Sequence, residues 1–218
     1  MILLIRHGEA EHHVKALTGG WTDSCLTADG KVQMEKLAAV LKKDFAGRKP
    51  PRLAASDLQR CQLGAAILKK ALGIKEMILF EALREKNNGK AAGKSVIAAK
   101  AFYHAPKTGR ELDHRNYEGE TRREFYERTI DGIKDVLSGT EDLIIVAHKG
   151  SIQNILFYWM GYSIDEVAFK KVSFDIRPAS LTMIGINKWD EHAIFLLNDL
   201  SYLRSDEKIG LFDFPIKR

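Results

Sequence analysis

Two short apolar runs, one at the start of the chain and one in its second half, constrain the fold more than any other feature. Ile2 to Ile5 passes at once into Arg6 and His7, and Leu143 to Ala147 passes in the same way into His148. Apolar runs without polar alternation are typical of strands that are buried on both faces. Such strands belong to parallel sheets that helices cover on both sides.

The rest of the chain alternates between short apolar runs and longer segments of helical period. Helices are predicted after the N-cap residue Thr27, from Leu58 to Leu72, and from about Thr121 to Leu137. Further strands are predicted at Arg52 to Ala55, Met77 to Phe80, Leu181 to Ile186 and Ala193 to Leu197. The last two flank a polar turn and should form a hairpin at the sheet edge. We therefore predict an α/β fold, a three-layer α/β/α sandwich with a mostly parallel central sheet and an antiparallel edge.

Composition limits the class of protein. The chain has 218 residues, of which 45% are hydrophobic, and we expect a single domain over residues 1–218. The net charge of +5 favours anionic partners. Only two cysteines are present, and no apolar run is long enough for a signal peptide or a membrane span, which predicts a cytoplasmic protein without membrane contact. Basic residues are not interleaved with aromatic ones, which argues against nucleic-acid binding. The oligomeric state is left open.

Charged and titratable residues follow the predicted strands. In open α/β sheets, ligands bind beyond the carboxyl ends of the strands. Arg6 and His7 follow the first strand, Arg60 lies just after the second, Glu85 follows the third, and His148 follows the strand at Leu143 to Ala147. If these ends converge, they form a pocket of two arginines, two histidines and one carboxylate. Such a pocket suits a phosphoryl group, because arginines bind its oxygens and a neutral imidazole can act as the nucleophile.

These residues lie in segments that resemble the histidine phosphatase superfamily, also called phosphoglycerate mutase-like, and more closely its phosphatases than its mutases. The resemblance extends over nearly the whole chain. It rests on RHGE at 6–9, GGWTDSCLTADG at 19–30, SDLQR at 56–60, LREKNNGKAAG at 83–93, GETRREFYER at 119–128, IIVAHKG at 144–150 and LND at 197–199.

The resemblance implies a role for each residue of the pocket. His7 would be transiently phosphorylated, and Arg6, Arg60 and His148 would complete the phosphate pocket. Glu85 stands where the family has its general acid, which protonates the leaving alkoxide and then takes a proton from water. The expected activity is hydrolysis of a small phosphorylated anionic substrate, with no cofactor and no metal, because cationic side chains surround the phosphate.

Several nearby residues are candidates for substrate contacts. His13 replaces the asparagine common in the family and can still donate to a phosphate oxygen. Gly19 and Gly20 can bring main-chain N–H groups close to an anion, whereas Trp21 is expected to be a packing residue. Lys149 replaces a common glycine, and it either holds a second anionic group of the substrate or turns outward into water.

The segment 86–120 is predicted to be a lid or substrate-specificity insertion. The stretch from Arg84 to Arg123 contains ten Lys and Arg and five Asp and Glu. Its net positive charge therefore equals that of the whole chain. Its charge would concentrate an anionic ester, or else it is a solvated surface. The sequence does not identify the ester.

Three other functions are considered. A phosphoglycerate mutase is disfavoured because the stretch between Glu85 and His148 is short, and a mutase must exclude water from its intermediate. A non-catalytic phospho-ligand binder would not need both His7 and Glu85. A metal site built from His7, His12, His13 and His148 lacks the spacing that places two ligands on one helical face.

Overall fold

The computed structural model describes residues 1–106 and 112–203. Within these ranges one sheet has six strands: β1 (Ile2–Arg6), β2 (Arg52–Ser56), β3 (Ile78–Phe80), β4 (Leu143–Ala147), β5 (Leu181–Ile186) and β6 (His192–Asp199). Their order is β3-β2-β4-β1-β5-β6. The first four are mutually parallel, with Ile2 opposite Leu143, whereas β5 and β6 are antiparallel to their neighbours. This arrangement confirms the predicted mostly parallel sheet with an antiparallel edge.

Helices connect these strands and cover the sheet. Their bounds are α1 (Glu11–Val14), α2 (Ala28–Asp44), α3 (Gln59–Leu72), α4 (Val96–Ala99), α5 (Arg122–Leu137), α6 (Lys149–Trp159) and α7 (Ile164–Lys170). The hydroxyl of Thr27 accepts from the N–H of Gly30 and so caps α2 as predicted. Thr121 and Glu124 form a reciprocal capping box at the start of α5. Gly73, in the left-handed region at φ 64°, ends α3.

The core lies in two layers, one on each face of the sheet. Side chains alternate across a strand, so Leu3 and Ile5 of β1 pack with α2 and α3, while Ile2 and Leu4 pack with α5 and α6. All four of these β1 side chains are buried, as the unbroken apolar run predicts. The sheet with helices on both faces is the predicted three-layer sandwich.

The structure differs from the sequence expectations in some details. Strand β3 begins at Ile78 rather than at Met77. On α5, the partly buried Tyr126 packs against a cluster that includes Phe157 and Ile164, and its hydroxyl donates to the Tyr162 carbonyl oxygen at 3.1 Å.

Helix α6 was not predicted. Its N-cap residue, His148, makes no side-chain capping bond, and apolar residues cover much of its circumference, so its sequence carries neither a start signal nor a clear polar face. Its position is nevertheless important, because it begins directly after β4.

The topology brings one end of each parallel strand to a common edge. β1, β2 and β4 are neighbours that run in the same direction, so the residues that follow them lie close together. His7 follows β1, the start of α3 follows β2, and His148 follows β4. In the described ranges, no helix has both the length and the apolar character needed to cross a membrane.

Candidate active site

His7 lies directly after β1 and is almost fully buried, with 2% of its surface exposed. Its Nδ1 is 2.7 Å from the carbonyl oxygen of Gly8. A carbonyl oxygen only accepts, so Nδ1 carries the proton and Nε2 keeps its lone pair. Burial, followed by the nearby His148 and Arg60, holds the pKa of His7 well below its ordinary value. The ring is therefore a neutral imidazole with a free electron pair on Nε2.

Arg6, the last residue of β1, points its guanidinium towards the same region. Its Nη1 donates to the Ile176 carbonyl oxygen at 2.6 Å, and its Nη2 lies 3.2 Å from Nε2 of His13. Its Nε is buried without a hydrogen-bond partner among the described residues. Burial lowers the pKa of Arg6 to about 10, so the group remains charged at neutral pH. An unpaired, buried cationic N–H is a donor that suits an anionic ligand.

Arg60, in the first turn of α3, is 1% exposed and is fixed by main-chain oxygens. Nη1 donates to the Thr22 carbonyl at 2.6 Å, and Nη2 donates to the Gly20 carbonyl at 2.8 Å. Gly20 has a φ of 62°, and a Cβ there would lie 2.1 Å from Oδ1 of Asn88. Glycine is therefore required at position 20, where its carbonyl oxygen holds the arginine. The sequence suggested main-chain N–H groups as the useful atoms of this loop.

His148 follows β4, is 1% exposed, and contacts both Arg60 and Ser56. Arg60 Nε donates to its Nδ1 at 3.3 Å, so Nε2 carries the proton and donates to Ser56 Oγ at 2.9 Å. The rings of His7 and His148 meet edge to face, with centroids 5.2 Å apart. Burial, and then Arg60 and Arg6, keep the pKa of His148 well below its ordinary value. Two neutral histidines and two arginines thus share one pocket, as the sequence predicts.

Glu85 closes one side of this group. Its Oε2 accepts from the main-chain N–H of Gly150 at 3.0 Å, and its Oε1 accepts from the N–H of Lys86 at 2.9 Å. Gly150 lies in the first turn of α6, where main-chain N–H groups lack helical partners and favour a negative charge. Burial lowers the pKa of both Arg6 and Arg60, and the nearby carboxylate of Glu85 partly opposes this shift. It therefore lies at the border of the arginine-lined pocket.

Trp21 has a role that the sequence did not reveal. It was expected to be a packing residue, but its Nε1 donates to the main-chain oxygen of Glu85 at 2.8 Å. The guanidinium of Arg84 stacks over its ring, 4.6 Å from the centroid. Arg128 also donates to the Glu85 oxygen, at 3.3 Å. Trp21 and Arg128 thus hold the main chain at Glu85, and no local pattern links residues so distant in sequence.

The structure places the predicted substrate contacts in different surroundings. The ring of His13 stacks on that of His7, with centroids 5.6 Å apart, so His13 lies beside the arginine and histidine pocket. Gly19 packs against His12, since a Cβ there would lie 3.1 Å from its Nε2. Lys149 is half-buried and forms an ion pair with Asp175, which lowers the pKa of that carboxyl. Neither expectation for Lys149, a free cation for the substrate or a side chain in water, included this partner.

Four histidines approach one another here. His12 contacts Ser24 Oγ through Nδ1 at 2.6 Å, and its ring centroid lies 4.1 Å from that of His13. Burial lowers the pKa of His12 to about 3 and that of His13 to about 4. Within residues 1–106 and 112–203, no three His, Cys, Asp or Glu side chains are arranged to hold a metal ion.

Known proteins resemble this chain in sequence. A broad-specificity phosphatase from Saccharomyces cerevisiae is 30% identical over 194 residues, which cover 86% of this chain and 80% of the yeast protein. A 2,3-bisphosphoglycerate-dependent phosphoglycerate mutase from Bartonella bacilliformis is 27% identical over 186 residues, which cover 79% of this chain and 87% of the mutase. The sequence relatives thus include both a phosphatase and a mutase.

The fold also matches solved structures. A mycobacterial glucosyl-3-phosphoglycerate phosphatase, solved with vanadate (VO3), superposes with a TM-score of 0.72 and 20% sequence identity, covering 90% of this chain and 98% of that one. At this identity the match concerns the fold alone. The family model described as histidine phosphatase superfamily (branch 1) matches residues 2–199, nearly the whole chain. This protein therefore belongs to the histidine phosphatase superfamily.

Proposed function

We propose that this protein is a phosphatase that hydrolyses a small phosphate monoester in two steps, through a phosphohistidine on His7, without a metal ion. The observation that carries the proposal is the hydrogen bond from His7 Nδ1 to the Gly8 carbonyl oxygen. It leaves Nε2 unprotonated in a ring whose pKa is depressed, so the nucleophile needs no separate base. Imidazole nitrogen then attacks phosphorus directly.

Arg6 and Arg60 supply the positive charge that phosphoryl transfer requires. Both are buried guanidinium groups, and their positions are fixed by carbonyl oxygens, including those of Ile176 and Gly20. Their charges neutralise the phosphoryl oxygens without reorganisation during the reaction. Since two fixed cations do this, a metal ion is not needed.

His148 completes the phosphate pocket in this proposal. Its bond from Arg60 Nε is long, at 3.3 Å, and a phosphate oxygen would replace it. Nδ1 must then carry the proton, which requires the other tautomer with Nε2 as acceptor. The Ser56 hydroxyl at Nε2 can donate as well as accept, and therefore supports either tautomer.

Glu85 acts as the proton donor and acceptor. In the first step, His7 Nε2 forms a bond to phosphorus, the bond from phosphorus to the ester oxygen breaks, and protonated Glu85 gives its proton to the leaving alkoxide. In the second step, water attacks phosphorus, the phosphorus–nitrogen bond breaks, and the Glu85 carboxylate takes the proton from water. Inorganic phosphate and an alcohol leave, and the enzyme returns to its starting state.

We assign the whole chain, 1–218, to one domain in which the segment 86–120 serves as the substrate lid. The support is that Lys86, Leu112 and Asn116, all from this segment, line a cavity next to Glu85. Residues 107–111, near the middle of the segment, lie outside the described ranges.

Mutase activity is the second candidate, because the mutase from Bartonella bacilliformis is nearly as similar in sequence as the yeast phosphatase. The two activities differ in the fate of the phosphohistidine, which water attacks in a phosphatase and the substrate alcohol attacks in a mutase. Incubation with 3-phosphoglycerate, with and without 2,3-bisphosphoglycerate, separates them. Isomerisation faster than phosphate release would replace the phosphatase assignment.

The test of the proposal is to trap the intermediate. The protein is mixed with radiolabelled p-nitrophenyl phosphate in the presence of chelator, quenched rapidly in alkali and digested. We expect an acid-labile label on the peptide that contains His7, and none in His7→Ala, whose turnover should fall by about a thousandfold or more. His192→Ala is the matched control, because His192 is exposed and starts β6 at the end of the sheet that lies away from His7.

Two results would refute this mechanism. One is near-normal turnover by His7→Ala in a sample whose thermal unfolding matches that of the natural protein. The other is a complete loss of phosphate release with chelator that zinc restores, which would favour the metal-site alternative.

A further inference from the structure

A cavity of about 680 Å³ lies next to Glu85, outside the arginine and histidine pocket. Its walls come from the segment 86–120, from α5 and α6, and from the chain after α7. A cavity of this size is within the usual range for small-molecule sites, which is about 300–1,000 Å³. Glu85 is the proposed proton donor to the leaving oxygen of the ester. The rest of the ester would therefore lie in this cavity, beyond Glu85 as seen from the arginine and histidine pocket.

The charges that line this cavity are almost all positive. Among the described residues in its walls, Lys86, Arg122, Lys149 and Lys171 are cations, and Glu85 is the only carboxylate. Lys149 is neutralised by Asp175. The cavity thus has an excess of positive charge that its own walls do not balance.

Lys86 and Arg122 are the cations of interest. Neither forms an ion pair with a residue of the described ranges, unlike most of the basic residues around them, such as Lys90 with Glu118 and Arg123 with Asp165. Lys86 is partly buried, and Arg122 is solvent-exposed at the rim, yet burial lowers the pKa of both. Both side chains line the same cavity, and the carboxylates of Glu120 and Glu85 act on Lys86 electrostatically without forming an ion pair with it.

Two unpaired cations beside a cavity bind an anion more readily than a neutral group. The energetic reason is that an anion placed between them relieves their repulsion and replaces lost hydration with charged hydrogen bonds. Apolar side chains form the other part of the wall, including Leu112, Phe125 and Phe157. The cavity therefore suits a compact organic group that ends in an anion.

We propose that the leaving group of the substrate carries a second anionic group, either a carboxylate or a second phosphate, and that Lys86 and Arg122 bind it. This inference rests on the proposed phosphatase function, since it assigns the two ends of one ester to the two neighbouring sites. The reactive phosphate lies with His7 and the arginines. The second anion lies with Lys86 and Arg122, across Glu85.

The experiment compares pairs of esters that differ only in the second charge. For a carboxylate, the pair is 3-phosphoglycerate and glycerol 3-phosphate; for a phosphate, it is fructose 1,6-bisphosphate and fructose 6-phosphate. We expect the natural protein to have a higher kcat/KM for the more anionic member of at least one pair. The pair with the larger ratio identifies which anion is preferred.

Lys86→Gln and Arg122→Gln are then measured on the same pairs. Lys86→Gln should raise KM for the more anionic ester by about tenfold or more, as expected for loss of a charged hydrogen bond, with kcat little changed. Arg122→Gln should raise the same KM less, because solvent screens the exposed charge of Arg122. The ester with one charge should be affected less than about twofold. Lys42→Gln is the matched control, since it removes one exposed charge from α2, away from the cavity.

The outcomes separate this inference from the function on which it rests. If the protein hydrolyses esters through His7 but kcat/KM is equal within both pairs, the second-anion site is overturned and the phosphatase proposal is kept. The same conclusion follows if neither variant changes the ratio of kcat/KM within a pair. Failure of the natural protein to release phosphate from any ester would overturn both.

Discussion

The main-chain N–H of Gly150 donates to Oε2 of Glu85 at 3.0 Å, across 65 positions of sequence. A Cβ on residue 150 would lie 2.2 Å from Oε1 of the same carboxylate. Real Cβ atoms do not approach an oxygen so closely, so Gly150 is required for Glu85 to occupy this position. The start of α6 thereby fixes the side chain to which we assign proton transfer.

Gly150→Ala should displace Glu85 and leave the phosphate pocket in place. We expect a loss of about tenfold to a hundredfold in the first step with an alkyl phosphate, because its alkoxide needs the proton, and a smaller loss with p-nitrophenyl phosphate. Single-turnover rates on both esters test this. Gly139→Ala is the control, since a Cβ there would be at least 3.4 Å from any neighbour. Equal losses on the two esters would contradict the argument.

Glu85→Gln removes the proton while keeping nearly the same shape. It should slow phosphoryl transfer from an alkyl phosphate by about a hundredfold or more and transfer from p-nitrophenyl phosphate far less. The second step should slow with either ester, since no carboxylate takes the proton from water, and phosphohistidine should accumulate. Quenched single-turnover measurements follow both steps. A variant that handles both esters equally well in the first step would exclude Glu85 as the acid.

Asp175→Asn should release Lys149 from its ion pair and make its charge available to the cavity. We expect KM for 3-phosphoglycerate to fall severalfold, with little change for glycerol 3-phosphate. The effect is expected to be modest because both side chains are more than a third exposed and solvent screens them.

The Lys149→Gln background is the control for this prediction. If the gain comes from Lys149, Asp175→Asn should have no effect on KM once the lysine is removed. A gain that persists in Lys149→Gln would show that Asp175 acts through another cation, such as Arg6, on which it also acts electrostatically.

Stability should fall as the pH is lowered below about 6.5, because several histidines are held neutral in the folded state. For His13, the pKa falls from 6.5 to about 4 on folding. Between these values the unfolded chain binds more protons than the folded one. The free energy of unfolding therefore rises with pH across this window, and the contribution of His13 to it is lost as the pH is lowered. Each histidine that is held neutral in this way changes the free energy of unfolding by up to about 1.4 kcal/mol per pH unit.

His13→Asn tests this contribution, because asparagine does not titrate. Urea unfolding of the natural protein and the variant at pH 7, 6, 5 and 4 gives the two slopes. The variant should lose less stability than the natural protein between pH 6.5 and 4. Parallel slopes would mean that His13 is not held neutral by the fold.

Much of the fold could be predicted because its signals are local. An unbroken apolar run predicts a buried strand, and β4 has the predicted bounds, Leu143–Ala147. Thr27 and Gly73 cap α2 and α3 through interactions within a few residues. Helix α6 lacks a side-chain cap and was missed, and α7 was also missed although Ser163 and Glu166 form a capping box at its start.

The sequence also determined which residues meet at the sheet edge. His7, Arg60 and His148 each follow or lie close behind a parallel strand, and the carboxyl ends of parallel strands share one edge whatever the details of packing. Resemblance to a family supplied the expected roles of His7 and Glu85.

Only the tertiary structure decided how each of these groups is held. The His7 tautomer depends on the position of one carbonyl oxygen, and the place of Glu85 depends on Gly150, far along the chain. Asp175 neutralises Lys149, while Lys86 and Arg122 are left without ion-pair partners among the described residues. Charge pairing and hydrogen bonding between distant segments depend on distances of a few ångströms, which local sequence patterns do not encode.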